Sequence, residues 1–118
     1  MKGNEKPLAH FIGGLRRPAW VGSITLSWPL VGLYVYDDRL EFGPGFKFMR
    51  RFERPSRVFA ASDLKLVGPT ESGVRFTFAD GESWIFATGD REAVLRLMAV
   101  HGVPTTSDVV PANWWPPL

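Results

Sequence analysis

The chain has 118 residues, a formal net charge of +2 and no cysteine. This length suits one domain with a single core, and the lack of cysteine excludes disulfides and thiolate metal sites. Twelve glycines and ten prolines supply many turns, while an aromatic content of 14% favours short strands over helices. We expect residues 1–15 to form a loose N-terminal arm, residues 16–104 to form the domain, and residues 105–118 to form a tail rich in Pro and Trp.

An uncharged stretch covers residues 19–36. A membrane-spanning helix needs about 20 mostly apolar residues, whereas this stretch is interrupted by glycine, serine and proline. Ile24, Leu26 and Trp28 alternate with serine and threonine, and a period of two is typical of a strand. The pattern therefore predicts two core strands broken near Pro29, and no transmembrane segment.

More short strands follow, separated by turns. After the turn signal at residues 37–38, residues 39–42 alternate charged and apolar side chains, which predicts a strand with Glu41 on its wet face. Residues 46–50 alternate in the same way, and residues 58–67 indicate a kinked strand. With the hairpin described next, the chain is predicted to contain about seven antiparallel strands, typical of an all-β barrel or sandwich.

The clearest local signal is a hairpin followed by a helix. Residues 74–78 and 83–87 are apolar at alternate positions, and Asp80-Gly81 between them favours a type I′ turn, which needs positive φ at both residues. Residues 90–101 then predict an amphipathic helix, because apolar side chains recur at helical spacing. Gly102 suits the left-handed position that commonly ends a helix.

Seven strands followed by one C-terminal helix is the plan of the pleckstrin-homology-like (PH-like) barrel. Residues 35–42 (Val-Tyr-Asp-Asp-Arg-Leu-Glu-Phe), 59–64 and 73–84 resemble bacterial PH-like domain proteins, as does the step from residue 84 to Gly-Asp-Arg-Glu at residues 89–92. The resemblance covers roughly residues 20–103. It implies a bent sheet with one open end plugged by the helix, and a role in docking phosphoinositides, peptides or protein partners. Eukaryotic lipid-binding members carry a Lys-x-Arg pattern near the first hairpin loop, and the corresponding residues 28–30 contain no basic side chain.

Positive charge is concentrated in the first half of the chain. Residues 1–57 carry a net charge of +5 and residues 58–118 a net charge of −3. We define the basic patch as Lys47, Arg50, Arg51, Arg54 and Arg57. Such a patch attracts anionic lipid, nucleic acid or an acidic protein through screened Coulomb forces, and the alternative is a solvated face without a ligand.

The sequence offers no catalytic, metal-binding or cofactor-binding pattern. Its only histidines are His10, near the predicted arm, and His101, on the apolar stripe of the predicted helix. Nucleophilic catalysis needs a base oriented by a third group, and neither position suggests one. Basic residues interleaved with phenylalanine suit a single-stranded nucleic-acid binder, but alternation predicts that several of these phenylalanines lie in the core: Phe46, Phe48, Phe52 and Phe59.

Trp114 and Trp115 lie next to each other near the end of the chain, between prolines. Exposed Trp pairs are uncommon, so we expect them to pack on the domain itself or to act as an apolar anchor for a partner or a second copy. The sequence thus predicts a non-catalytic binding module that lies in the cytoplasm or at the inner face of the membrane. It would dock to a protein partner or an anionic membrane surface through the basic patch and this tail. The alternative is a structural or oligomerisation subunit with no ligand.

Overall fold

The computed structural model describes residues 6–18, 22–46, 48–49 and 54–107. In these residues, seven antiparallel strands form one open sheet, followed by one α-helix, as the sequence predicts. The strands are β1 (Ala9–Pro18), β2 (Ser23–Val35), β3 (Leu40–Pro44), β4 (Arg57–Phe59), β5 (Leu64–Pro69), β6 (Gly73–Phe78) and β7 (Ser83–Ala87). The helix α1 is Arg91–Val100, and a short 3-10 helix, Ala61–Asp63, connects β4 to β5.

The strand order is β4-β3-β2-β1-β7-β6-β5. Two meanders, β1 to β4 and β5 to β7, are therefore joined by the pairing of β1 with β7. After α1 the chain returns to β5, where the amide of Val67 donates to the carbonyl of Pro104 at 2.9 Å and the amide of Thr106 donates to Val67 at 3.0 Å. The segment after α1 consequently covers the outer edge of β5.

The strand β1 begins inside the segment that the sequence predicts to be an arm. It lies between β2 and β7, and residues 13–15 are buried. A Cβ atom at Gly13 would clash with the carbonyl oxygen of Ala87, so the missing side chain allows β7 to approach. Gly13 and Gly14, which fall within the predicted arm, are therefore part of a central strand.

The strand β2 is one long strand rather than two core strands. Its pairing with β1 changes register between Gly13↔Val31 and Leu15↔Leu26, so residues 27–30 of β2 stand opposite Gly14 alone. The bond before Pro29 is cis. Residues 31–35 are buried, whereas residues 23–25 are exposed, and only the second half of β2 is a core strand.

Two further strand predictions differ from the structure. Residues 48 and 49 adopt a 3-10 conformation, and the amide of Met49 donates to the carbonyl of Phe46 at 3.0 Å, so this segment turns instead of extending. The predicted strand over residues 58–67 is divided between β4 and β5 by the 3-10 helix. The number of strands still agrees with the prediction. The strand β1 and the division of residues 58–67 each add one strand, whereas the single strand β2 and the turn at residues 46–49 each remove one.

The β6–β7 hairpin has the predicted faces but a wider turn. Val74, Phe76 and Phe78 are fully buried. The amide of Phe78 donates to Glu82 at 2.8 Å, and the amide of Gly81 donates to Phe78 at 2.9 Å, which leaves a three-residue loop. Gly81 has a φ of +94°, and no non-glycine residue of the described chain has positive φ, so the two-residue type I′ turn is not formed.

The core is an aromatic cluster centred on Phe42. Its ring lies 5.2–5.8 Å from the rings of four others: Phe59, Phe76, Trp84 and Phe86. The helix α1 packs on β5 and β6 and buries Val94 and Met98 completely. It ends before Gly102, whose φ is +80° as expected for that position.

Glu41 of β3 is buried, although alternation predicts it on a wet face. Only 5% of the residue is exposed, and its carboxylate accepts a hydrogen bond from Arg39 Nε at 2.8 Å. The guanidinium of Arg39 also lies 4.0 Å from the centre of the Tyr36 ring. A local cation therefore allows a carboxylate to be buried at a position that looks solvent-facing in sequence.

Candidate docking surface

Large apolar side chains are exposed in the β2 bulge and in the connection that follows β3. They are Trp28 (68% exposed), Leu30 (57%), Phe46 (45%) and Phe48 (65%), and we call them the apolar ridge. Single exposed apolar side chains are normal on protein surfaces, whereas clusters mark interaction sites. The ridge is therefore the feature of this structure that most directly suggests binding.

The ridge combines two segments that are distant in sequence. The last β2–β3 pair is Val31↔Pro44, and just beyond it the amide of Gly45 donates to the carbonyl of Leu30 at 3.0 Å. This bond holds residues 28–30 of the β2 bulge beside the start of the β3–β4 connection. The rings of Phe46 and Phe48 then stack with centroids 5.9 Å apart.

The structure describes only two residues of the basic patch, Arg54 and Arg57. Lys47, Arg50 and Arg51 lie outside the described residues, so their predicted role stays a prediction. Arg54 is exposed. In sequence, Lys47 stands between the two ridge phenylalanines, and three arginines follow within a few residues. Positive charge thus adjoins the ridge along the chain.

Arg57 occupies a different environment from a free surface cation. Its side chain is 23% exposed, and its guanidinium lies 3.4 Å from Asp80 Oδ2 and 3.2 Å from Glu82 Oε1. The same group lies 3.5 Å from the ring centre of Phe78. Because two carboxylates already neighbour this cation, its attraction for a further anion is reduced.

The second predicted anchor, Trp114 and Trp115, lies outside the described residues.

The predicted strand that contained Phe46 and Phe48 would have placed these rings in the core, and that expectation is wrong. Sequence reasoning therefore missed the ridge. The available signals were Pro29 within an apolar strand and the turn at residues 43–45 directly before Phe46, since both interrupt regular alternation.

The described residues hold no group of three or more His, Asp or Glu side chains that could bind a metal ion. His10 stacks on Tyr34 with ring centroids 4.2 Å apart, and His101 Nδ1 lies 3.0 Å from the carbonyl of Leu97. His10 of β1 therefore packs against the neighbouring strand β2, and His101 lies against the last turn of α1. An open cleft of about 520 Å³ lies beside the start of α1, with side chains of both charge signs in its walls, Glu71 and Arg96 among them.

Comparison of the chain with protein-family models finds no match, and comparison with curated proteins finds none either. Membership of a PH-like family consequently has the status of a proposal, supported only by the sequence resemblance and the architecture. Of the helices in the described part of the chain, none has the length and apolar character needed to cross a membrane.

Proposed function

We propose that this protein is a non-catalytic docking module that binds an anionic membrane surface through the apolar ridge. The supporting observation is the exposure of Trp28 and Leu30 in the β2 bulge and of Phe46 and Phe48 after β3. Four of the basic-patch residues would add attraction to anionic headgroups: Lys47, Arg50, Arg51 and Arg54. Trp114 and Trp115 remain a prediction, as a second apolar anchor.

The chemistry of the ridge favours lipid over the other anionic partners. Aromatic side chains enter the boundary between headgroups and acyl chains, and tryptophan is enriched there. Full burial of a large apolar side chain contributes about 1.5–3 kcal/mol, and each Lys or Arg near an anionic leaflet contributes about 1 kcal/mol. Neither contribution alone gives firm binding, and together they give reversible attachment.

A protein partner is the competing class. Protein interfaces are also rich in aromatic residues, but their central residues are depleted of charge, and lysine is depleted throughout. Lys47 between Phe46 and Phe48 instead combines a cation with apolar side chains, as in segments that lie at a membrane surface. This arrangement in the sequence supports a membrane surface as the partner.

The fold forms part of the proposal. Seven antiparallel strands in two meanders with one C-terminal helix are compatible with a PH-like roll, in which α1 covers part of the sheet. PH-like domains serve as docking modules, which agrees with a surface site on a packed scaffold. We assign the docking to the cytoplasmic face of the membrane, where anionic lipids provide a negative surface potential.

The apolar contribution is tested by co-sedimentation with vesicles of phosphatidylglycerol and phosphatidylcholine, compared with phosphatidylcholine alone. The wild-type protein should bind only the anionic vesicles. Phe48→Ser should weaken binding roughly ten-fold, because 1.4 kcal/mol of lost burial corresponds to that factor. Val100→Ser is the matched control, since Val100 is 76% exposed on α1, and it should bind like the wild type.

The charge contribution is tested in the same assay at low and moderate salt. Arg54→Glu should weaken binding several-fold at low salt and less at moderate salt, because screening shortens the reach of surface charge. Arg96→Glu makes the same charge change at an exposed position of α1 and should have a clearly smaller effect. If the wild type bound no vesicles at low or at moderate salt, this result would contradict the proposal and favour a protein partner.

A further inference from the structure

In the described part of the chain, the first half of β2 is paired on one side only. The strand β1 pairs with Ser23–Leu26 on one side, whereas β3 pairs only with residues 31–35 of β2. Among the described residues, no strand is paired to the other side of residues 23–27. Residues 23–25 and 27 are exposed, and Ile24 is 39% exposed.

This edge differs from the two ends of the sheet. The edge of β5 is covered by hydrogen bonds between Val67 and the segment after α1. The edge strand β4 has only three residues and begins with a charged one, Arg57. Natural edges are usually protected by short strands, charges, proline or bulges. Residues 23–27 carry neither a charge nor a proline, and the one such device beside them is the β2 bulge, which begins at Ser27.

The side chains of this segment form a nearly palindromic pattern, Ser23-Ile24-Thr25-Leu26-Ser27. Two antiparallel copies centred on Thr25 would place Ile24 opposite Leu26 of the second copy, serine opposite serine, and threonine opposite threonine. Aliphatic and Thr–Thr pairs are favourable across antiparallel strands. A symmetric contact of this kind uses the same surface on both molecules and closes at two.

We infer that two copies of this chain associate through the open edge of β2, with a two-fold axis at Thr25. The contact extends two sheets into one and satisfies backbone groups that otherwise face water. It rests on the edge of β2 and not on the apolar ridge, so it stands independently of the membrane proposal. One short strand pair is a small interface, and we expect a dimer that dissociates on dilution.

Sedimentation equilibrium over a range of protein concentrations tests this inference. The average molecular mass of the wild type should rise with protein concentration, from that of one chain to that of two. Thr25→Lys should raise the dissociation constant at least about ten-fold, because it places like charges directly opposite each other at the axis. Val58→Lys adds the same charge at a position of β4 that is 55% exposed, and this control should dimerise normally.

A mixing experiment distinguishes this axis from any other interface. The Thr25→Lys and Thr25→Glu variants should each be monomeric, whereas an equal mixture of the two should dimerise, since opposite charges then meet at the axis. Three results would overturn the inference: a wild type that stays monomeric, a Thr25→Lys variant that dimerises as well as the wild type, or a mixture that does not restore association. A monomeric wild type would leave the edge available to a strand of another protein.

Discussion

Arg57 connects two parts of the sheet that are separated by 23 to 25 residues in sequence. It extends from β4 to Asp80 and Glu82 at the β6–β7 turn, and its guanidinium stacks on Phe78. The strands β4 and β6 are far apart in the strand order, so this cluster links the first meander to the second across the open sheet. We therefore interpret Arg57 as a structural residue that holds the two meanders together.

Replacing Arg57 should affect stability more than binding. We expect Arg57→Ala to lower the free energy of unfolding by about 1–2 kcal/mol, from the loss of a cation–π contact and partly exposed ion pairs. Urea denaturation measures this change. Arg54→Ala is the control, because Arg54 is exposed, and it should change stability by less than about 0.5 kcal/mol. Equal stability of the two variants would contradict the structural role of Arg57.

Sequence alone could not separate Arg57 from its basic neighbours. The cation has the same local surroundings as Arg54, and its carboxylate partners become visible only when the chain folds back. Glu41 shows the converse case, since the cation that makes its burial possible is two residues away, yet alternation still suggests a wet position. At this scale the sequence indicates residue types, and long-range contacts decide their roles.

The individual elements were predictable where one pattern dominates. The β6–β7 faces and the helix follow from clean periods of two and of about 3.6, and both are confirmed. The failures fall where pattern and context conflict. The start of β1 lies in the predicted arm, the bulge in β2 makes one strand look like two, and alternating Phe46 and Phe48 look like a strand although the chain turns there.

The helix α1 should be held by burial rather than by its own propensity. Ten residues make a marginal helix in isolation, and two of its side chains are completely buried against the sheet. We expect Met98→Ala to lower the free energy of unfolding by about 2–4 kcal/mol through lost burial and a cavity. Val100→Ala, at an exposed position of the same helix, should cost less than about 0.5 kcal/mol. Guanidinium denaturation compares the two variants, and a cost below about 1 kcal/mol for Met98→Ala would contradict this packing.

In the whole molecule, the aromatic side chains fall into two groups, one buried in the core and one exposed at the surface. One face gathers the aromatic cluster around Phe42 beneath α1, while the bulge of β2 and the β3–β4 connection carry other aromatic residues outward. Composition predicts a mainly β domain rich in aromatics, but it cannot say which aromatics are buried. The apolar part of the candidate site therefore appears only with the tertiary fold, and the role of the basic patch stays a prediction.

Hydrogen–deuterium exchange of the full-length protein with and without anionic vesicles tests the central claim most directly. If the ridge enters the lipid boundary, peptides containing residues 28–30 and 46–49 should exchange more slowly on vesicles, while those of α1 should be unchanged. The same peptides should show no change with neutral vesicles. Exchange that is unaltered in the ridge, or protection centred on α1, would contradict docking through the apolar ridge.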